Sequence, residues 1–526
     1  MPESYPLRVK EHPSIGPIRG IGKVPGVTQF LGVQYATLKD RFSRAELINS
    51  YPTKHSRVQN GILDATKIAA IPLSPANVPH TEANGSPWPV LALVHGGAFA
   101  TGSSSYPQYD LARIVQMSVE MGQPIIAVGI NYRLGVPGFL HSSAMKAAGY
   151  KPNNGLDDQR VGLLWIQRHI AGFNGDPKRV TYIGESSGAA SGTFHLHSAV
   201  PLFSQLIAMS GSSLVKAKQP EVAEKSFNAA LDLLGRAAEG MSDAEKVERF
   251  LTASMEDVRE KIGRKVPITP IVDGELIPQA TSYSLMADAA ETAKLFPGIE
   301  WCKRIMVGDC QMDGNAYAPR VATRTDILTK TLAANLAAAL SPIDPELTPS
   351  IIREYGLDTT TSANTSESLG AVLDLATDIC FALGARTFAK SWSARRDTTA
   401  FLYHFNVPNP WDGPWKGHAT HILDIAFVLQ NYRNYLPPGQ LETANRFTRD
   451  VVTFVHGGTP WPAYQTEQGG AMVYFAQKQG AHDESYFSEH EAPEKTGRRV
   501  IIQTLMKQKC WDKVMDAWEM FMKGPK

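Results

Sequence analysis

Gly184-Glu185-Ser186-Ser187-Gly188 constrains this chain more than any other stretch. The apolar run Val180-Thr181-Tyr182-Ile183 before it reads as a buried strand, and Ala189 to Leu196 after it reads as a helix. Strand, G-x-S-x-G, helix is a turn too sharp for side chains two residues either side of the serine, so glycine stands at both places. Ser186 is then fixed on a strained corner with its hydroxyl out of the sheet. The positive end of the following helix lies beneath it. Such a serine is a candidate nucleophile. The pentapeptide alone also fits an ordinary Gly/Ser turn, and a second element separates the two readings. Pro89 to Val94 is a short apolar strand, followed at once by His95-Gly96-Gly97-Ala98-Phe99. An H-G-G-x loop in that position turns backbone N–H groups toward a developing anion.

The length of 526 residues allows about three domains. No charge block, Gly/Ser tract or internal repeat marks a linker, so one elaborated domain over residues 1–526 is expected. The formal net charge of +1, with no basic stripe, leaves nothing to hold a polyanion, and no nucleic-acid partner is expected. The N-terminus lacks the apolar segment of a secretory signal. No stretch approaches the roughly 18 apolar residues of a membrane span. A cytoplasmic location without a membrane span is the expectation. Cys302 and Cys310 flank a strand-like run whose eight residues would extend about 26 Å, well beyond the roughly 7 Å that a disulfide tolerates. With no C-x-x-C spacing, Cys302, Cys310, Cys380 and Cys510 read as buried reduced thiols rather than metal ligands.

Apolar runs alternate with helical stretches through the first two-thirds of the chain: 90–94, 124–132, a helix from about Leu156 to Ile170, the Ser186 strand and helix, then 202–209. This order predicts an α/β fold with a central, mostly parallel twisted sheet and helices on both faces. Mainly helical insertions at about 215–300 and 320–396 would roof a pocket on the sheet's C-terminal edge, where open α/β sheets bind ligands. Arg499 to Met522 reads as a C-terminal helix.

A serine hydroxyl needs a histidine to take its proton and a carboxylate to orient that histidine. On this kind of sheet the chain order is Ser, acid, His. Asp313, in the loop beyond the strand Arg304–Val307, is the leading acid; Asp309 is its rival, and either also fits a turn-forming role. His418 and His421 compete for the base, and spacing alone does not separate them. His404 lies inside a strand pattern and reads as core or surface; His195, on the helix after Ser186, reads as packed.

Further motifs carry a resemblance. Asn131-Tyr132-Arg133-Leu134-Gly135, Asn154-Gly155-Leu156-Asp157-Asp158-Gln159 and Ala171-Gly172-Phe173-Asn174-Gly175-Asp176-Pro177, together with the serine pentapeptide, resemble the type-B carboxylesterases, the branch of the α/β-hydrolase fold that includes cholinesterases. The match runs over most of the chain. The resemblance implies that Ser186 is the nucleophile, Asp313 the acid in place of the family's usual Glu, and His421, three residues before Asp424, the base. It assigns the oxyanion hole to the backbone N–H groups of Gly97, Ala98 and Ser187, with Ala98 where a third Gly is usual. After Asp64-Ala65-Thr66-Lys67 the family's cysteine-closed loop, its disulfide and one strand's usual sequence are missing; the chain runs through Pro72-Leu73-Ser74-Pro75 to the Val90 strand. Choline esters, which the family holds on an aromatic residue of that loop, are therefore not the expected substrate.

The implied activity is serine carboxylic-ester hydrolysis through an acyl-enzyme. The substrate would be a small, apolar or uncharged ester, and no cofactor or metal is required. Phe99, Tyr106, Trp411 and Trp415 are candidate walls of the pocket, since they lie beside the oxyanion and histidine loops. The same residues would serve an acyltransferase, and the same fold without a working triad would be a non-catalytic binding module. Intact Ser, Asp and His candidates favour the hydrolase.

Overall fold

The computed structural model describes residues 5–51, 58–59, 61–67, 73–79, 86–235, 240–476, 484–489 and 510–524. Its strands are, in chain order, β1 (Leu7–His12), β2 (Gly16–Val24), β3 (Val27–Gln34), β4 (Leu73–Pro79), β5 (Trp88–Val94), β6 (Ile126–Ile130), β7 (Gly175–Glu185), β8 (Gln205–Met209), β9 (Arg304–Cys310), β10 (Thr399–Phe405), β11 (Ala471–Tyr474) and β12 (Tyr486–Ser488). With the short strands Val58–Gln59 and Ile62–Asp64 they form a 14-stranded sheet in the spatial order β12-β11-β10-β9-β8-β7-β5-β6-β4-β3-β2, continued by the two short strands, with β1 paired to β2. Neighbours from β6 through β5, β7, β8, β9 and β10 to β11 are parallel. Both ends of the sheet are antiparallel, apart from β2, which pairs in parallel with the short strand Ile62–Asp64.

Strands β5, β6 and β8 are buried at every position. That is why they read as continuous apolar runs: a parallel strand is covered on both faces. Alternate residues serve different cores. Val90, Ala92 and Val94 face one, with helices α2 (Asn154–His169), α3 (Ser187–His195), α9 (Leu383–Ser393) and α12 (Trp511–Lys523) contributing. Leu91 and Leu93 face the other, with α1 (Ala112–Glu120), α10 (Leu423–Leu429) and α11 (Pro438–Val455). The chain moves from β5 outward to β6, then returns across β5 to β7. The direction of winding thus reverses between β5 and β7, and the crevice beyond their C-terminal ends is the place for a ligand.

Two expectations need correction. Residues 73–79, expected as connecting chain, are a strand, antiparallel to both β3 and β6. Pro75 and Pro79 and the lack of an apolar run hide it; the neighbouring strand edges supply the pairing. One helical run, Ser366–Ser393, is also long and apolar enough to match a membrane span, with a mean hydropathy of 1.5. It is α8 (Ser366–Thr377), a wide turn at Asp378–Ala382, and α9. Its most apolar window is 78% buried in the fold, so it is a core helix. The proposed C-terminal helix is seen over Trp511–Lys523, where Trp511, Val514, Met515, Trp518 and Phe521 face inward; residues 499–509 lie outside those described. All four cysteines are buried, and none is joined to another by a disulfide.

Candidate active site

Ser186 lies between the end of β7 and the start of α3 with φ 56° and ψ −122°. An L-residue holds such a backbone only when its surroundings enforce it. Here they do. A Cβ on Gly184 would meet the Gly188 carbonyl at 2.4 Å, and one on Gly188 would meet the Val94 oxygen at 2.1 Å. The corner is fixed by the Ser186 N–H donating to the Met209 oxygen at 2.9 Å and the Ala190 N–H donating to the Ser186 oxygen at 2.9 Å.

The Ser186 hydroxyl donates to His421 Nε2 at 2.9 Å, and His421 Nδ1–H donates to Asp313 Oδ1 at 2.7 Å. Asp313 is fully buried, and its Oδ2 accepts the Cys310 N–H at 2.8 Å. The loops carrying Asp313 and His421 are stitched together. Met312 N–H donates to the Ala419 oxygen at 2.8 Å, and His421 N–H donates to Asn315 Oδ1 at 2.9 Å. The acid loop is also tied to the end of α8 by Gly314 N–H donating to Thr377 Oγ1 at 2.8 Å. The rival residues lie elsewhere. Asp309 pairs with His404 Nδ1 at 2.7 Å, His195 Nε2 bonds Gln159 Oε1 at 3.0 Å, and His418 is exposed with its ring edge-on to Trp415.

The loop after β5 approaches Ser186 from the other side. Gly97 has φ 117°, and a Cβ there would sit 2.0 Å from the Thr101 oxygen. Ala98 and Phe99 follow at φ 55° and 60°. The turn spends the N–H groups of Ala100 and Thr101 on the Gly97 oxygen, both at 3.1 Å. The Ser187 N–H belongs to the first turn of α3, whose leading N–H groups have no intrahelical partner.

The sequence profile of the carboxylesterase family matches residues 72–499. The chain belongs to the carboxylesterase family. It is 28% identical over 410 residues to the para-nitrobenzyl esterase of Bacillus subtilis (strain 168), spanning 73% of this chain and 75% of that protein. It is 28% identical over 509 residues to the cholinesterase of Mus musculus, spanning 84% and 79%, and 25% identical over 487 residues to lipase 3 of Yarrowia lipolytica, spanning 83% and 86%. A solved PNB esterase superposes with a TM-score of 0.71 at 24% identity, over 96% of this chain and 99% of that one, and shows the shared α/β-hydrolase fold. The protein is a carboxylic-ester hydrolase.

In this carboxylesterase a second carboxyl group stands beside His421. Glu185 is wholly buried, and its Oε1 lies 3.2 Å from His421 Nε2. Its Oε2 accepts the Tyr109 hydroxyl at 3.2 Å. Burial pushes the Glu185 pKa up to about 8, against the pull of His421. Burial by itself would lower the His421 pKa, but the Glu185 and Asp313 carboxylates outweigh it and lift it to about 9. Glu185 went unmarked in the sequence because it fills the variable position of the pentapeptide. Phe381 went unmarked too; its ring centre lies 5.1 Å from that of His421. Of the expected wall residues, Phe99 is buried, edge-on to Phe139 at 5.1 Å. Tyr106 is 44% exposed. Trp411 packs on Tyr432, and Trp415 on His418. Among the described residues no group of three His, Cys, Asp or Glu side chains is arranged to hold a metal ion.

Proposed function

We propose that the enzyme cleaves an uncharged carboxylic ester through an acyl-enzyme on Ser186. The observation that carries this is the hydrogen-bonded line from Asp313 through His421 to Ser186, at 2.7 and 2.9 Å. Ser186 Oγ attacks the ester carbonyl as its proton passes to His421 Nε2. The backbone N–H groups of Gly97, Ala98 and Ser187 receive the oxyanion, each worth roughly 10²–10³ in rate. The imidazolium returns the proton to the leaving alkoxide, then activates water to release the acid. Asp313 fixes the imidazole tautomer and offsets its charge. The rings of Phe99 and Phe381 and the buried carboxyls of Glu185 and Asp313 favour an ester without negative charge. Ser186→Ala should abolish both turnover of short p-nitrophenyl esters and labelling by a fluorophosphonate. Labelling retained on another serine would overturn the reading.

A further inference from the structure

Ala98 and Phe99 are consecutive non-glycine residues in the left-handed region, φ 55° and 60°, in the loop that bears two of the three proposed oxyanion donors. L side chains resist that conformation, so contacts must hold it. Two of them converge on one residue pair. At the loop's far end the Phe99 N–H donates to Ser187 Oγ at 3.3 Å. At its near end the His95 oxygen accepts the Tyr132 hydroxyl at 3.0 Å. Ser187 and Tyr132 are side-chain neighbours, so the two holds on the loop lie side by side. Both are interior, Tyr132 at 0% and Ser187 at 6% exposure, so water offers the loop little substitute. The Phe99 oxygen is engaged as well, by the Gly135 N–H at 2.7 Å, in the segment just after Tyr132.

We propose that the Ser187 hydroxyl, with Tyr132 behind it, is a positioning group for the oxyanion hole. Ser187 then has two roles at once. Its N–H is one donor, and its hydroxyl clamps the loop that presents the Gly97 and Ala98 donors. The spacing between the two halves of the hole is set at a single residue. A transition-state anion depends on that spacing far more than a neutral ground-state carbonyl does, because preorganised donors act where charge develops. This inference rests on the acyl-enzyme reading above.

The test is Ser187→Ala, which keeps the backbone N–H and removes only the clamp, with Tyr132→Phe as the second variant. For p-nitrophenyl acetate, kcat should fall about five- to tenfold in Ser187→Ala, the loss of one hydrogen bond to a buried peptide, with KM unchanged. Affinity for a trifluoromethyl ketone, which mimics the tetrahedral anion, should weaken by the same factor. Tyr132→Phe should move both quantities in the same direction. A Ser187→Ala enzyme with wild-type kcat and ketone affinity overturns the proposal, and so does one whose only change is a lower Tm. Failure of the underlying reaction shows differently: the wild-type chain itself would take no fluorophosphonate, and the positioning role would fall with it.

Discussion

Glu185→Gln is the perturbation that most directly probes how His421 is kept able to act as a base. The two groups lie 3.2 Å apart with nothing between them. At that separation a full ion pair would be worth roughly 5 kcal/mol at an effective dielectric constant of 20. The full value is not realised, because burial opposes ionisation of Glu185 and pushes its pKa up to about 8 against the pull of His421. Glu185 and His421 in effect compete for one proton. With it on Glu185, the imidazole is neutral and can take the Ser186 proton; with it on His421, catalysis stops. The wild-type acid limb of kcat/KM should therefore lie above the ordinary histidine range, toward the value of about 9 that the carboxylates impose on His421 against the opposing effect of burial. Glutamine keeps the shape and removes the charge. We expect the acid limb to move down by about one pH unit, since each unit needs only about 1.4 kcal/mol of differential interaction. The assay is kcat/KM for p-nitrophenyl acetate from pH 5 to 10 in both enzymes. A limb that stays put or moves up refutes the competition. Stability supplies a second readout. A carboxyl whose folded pKa is raised from 4.5 to about 8 contributes stability below pH 4.5 that is lost as pH rises through 8. The variant should thus melt higher than wild type at pH 9 and show no such gain at pH 4.

Asp313→Asn should lower kcat about 10⁴-fold by favouring the wrong imidazole tautomer, with the fold intact. Asp309→Asn, which loosens only the pair with His404, should leave kcat within a few fold; steady-state kinetics on the two variants decides between the acids. Asp158→Asn should lower the urea midpoint, since breaking a buried ion pair costs about 3–5 kcal/mol. The Arg133 guanidinium and Asp158 meet through two hydrogen bonds of 2.8 and 2.7 Å with both side chains buried, and the Arg133 backbone N–H adds a third at 2.9 Å. On the acid side, burial lowers the pKa of His95 and His197 from 6.5 to about 4, and that of His195 to about 3. A depressed folded pKa gives stability that is present above pH 6.5 and lost as pH falls through 4 and then 3. Tm measured from pH 7 down to 3 should fall across that window, and a flat profile would contradict it.

What the chain reveals before folding depends on whether a constraint is local. The Ser186 turn was legible because its glycines are required by atoms a few residues away: a side chain at 184 would strike the carbonyl of 188. The parallel core strands were legible because burial on both faces leaves no polar position. The choice between Asp309 and Asp313 was not local. Asp309 is still within β9 and faces His404 on the neighbouring strand, whereas Asp313 has passed the strand end and turned toward β10's following loop. A sequence window shows two aspartates in one polar stretch, and only the strand's last paired residue, Cys310, separates them. The same holds for His418 and His421. Residues 409 and 418 close a loop on themselves through the Asn409 N–H and the His418 oxygen at 2.9 Å, which leaves His418 on the surface. His421 lies beyond that loop and is drawn in by Asn315 and Asp313.

Strand β4 and Phe381 mark the other limit. Neither has a signal of its own, because each is defined by what arrives from elsewhere in the chain. Residues 73–79 pair because β3 and β6 present open edges on either side, and a segment between two such edges gains its hydrogen bonds whatever its own β-propensity. Phe381 reaches His421 because the helical run 366–393 widens into a looser turn at Asp378–Ala382, where the ring meets the imidazole. That turn falls between two regular helices of an apolar insertion that reads as core, and most of it is core. The residue that meets His421 is the one where the helix departs from regularity. Irregular turns of this kind are enriched at functional sites, so the departure, rather than the insertion's composition, is what connects this region to the reaction. Phe381, like Asp313 and His421, owes its place beside the imidazole to tertiary packing, whereas the turn at Ser186 is set by local sterics.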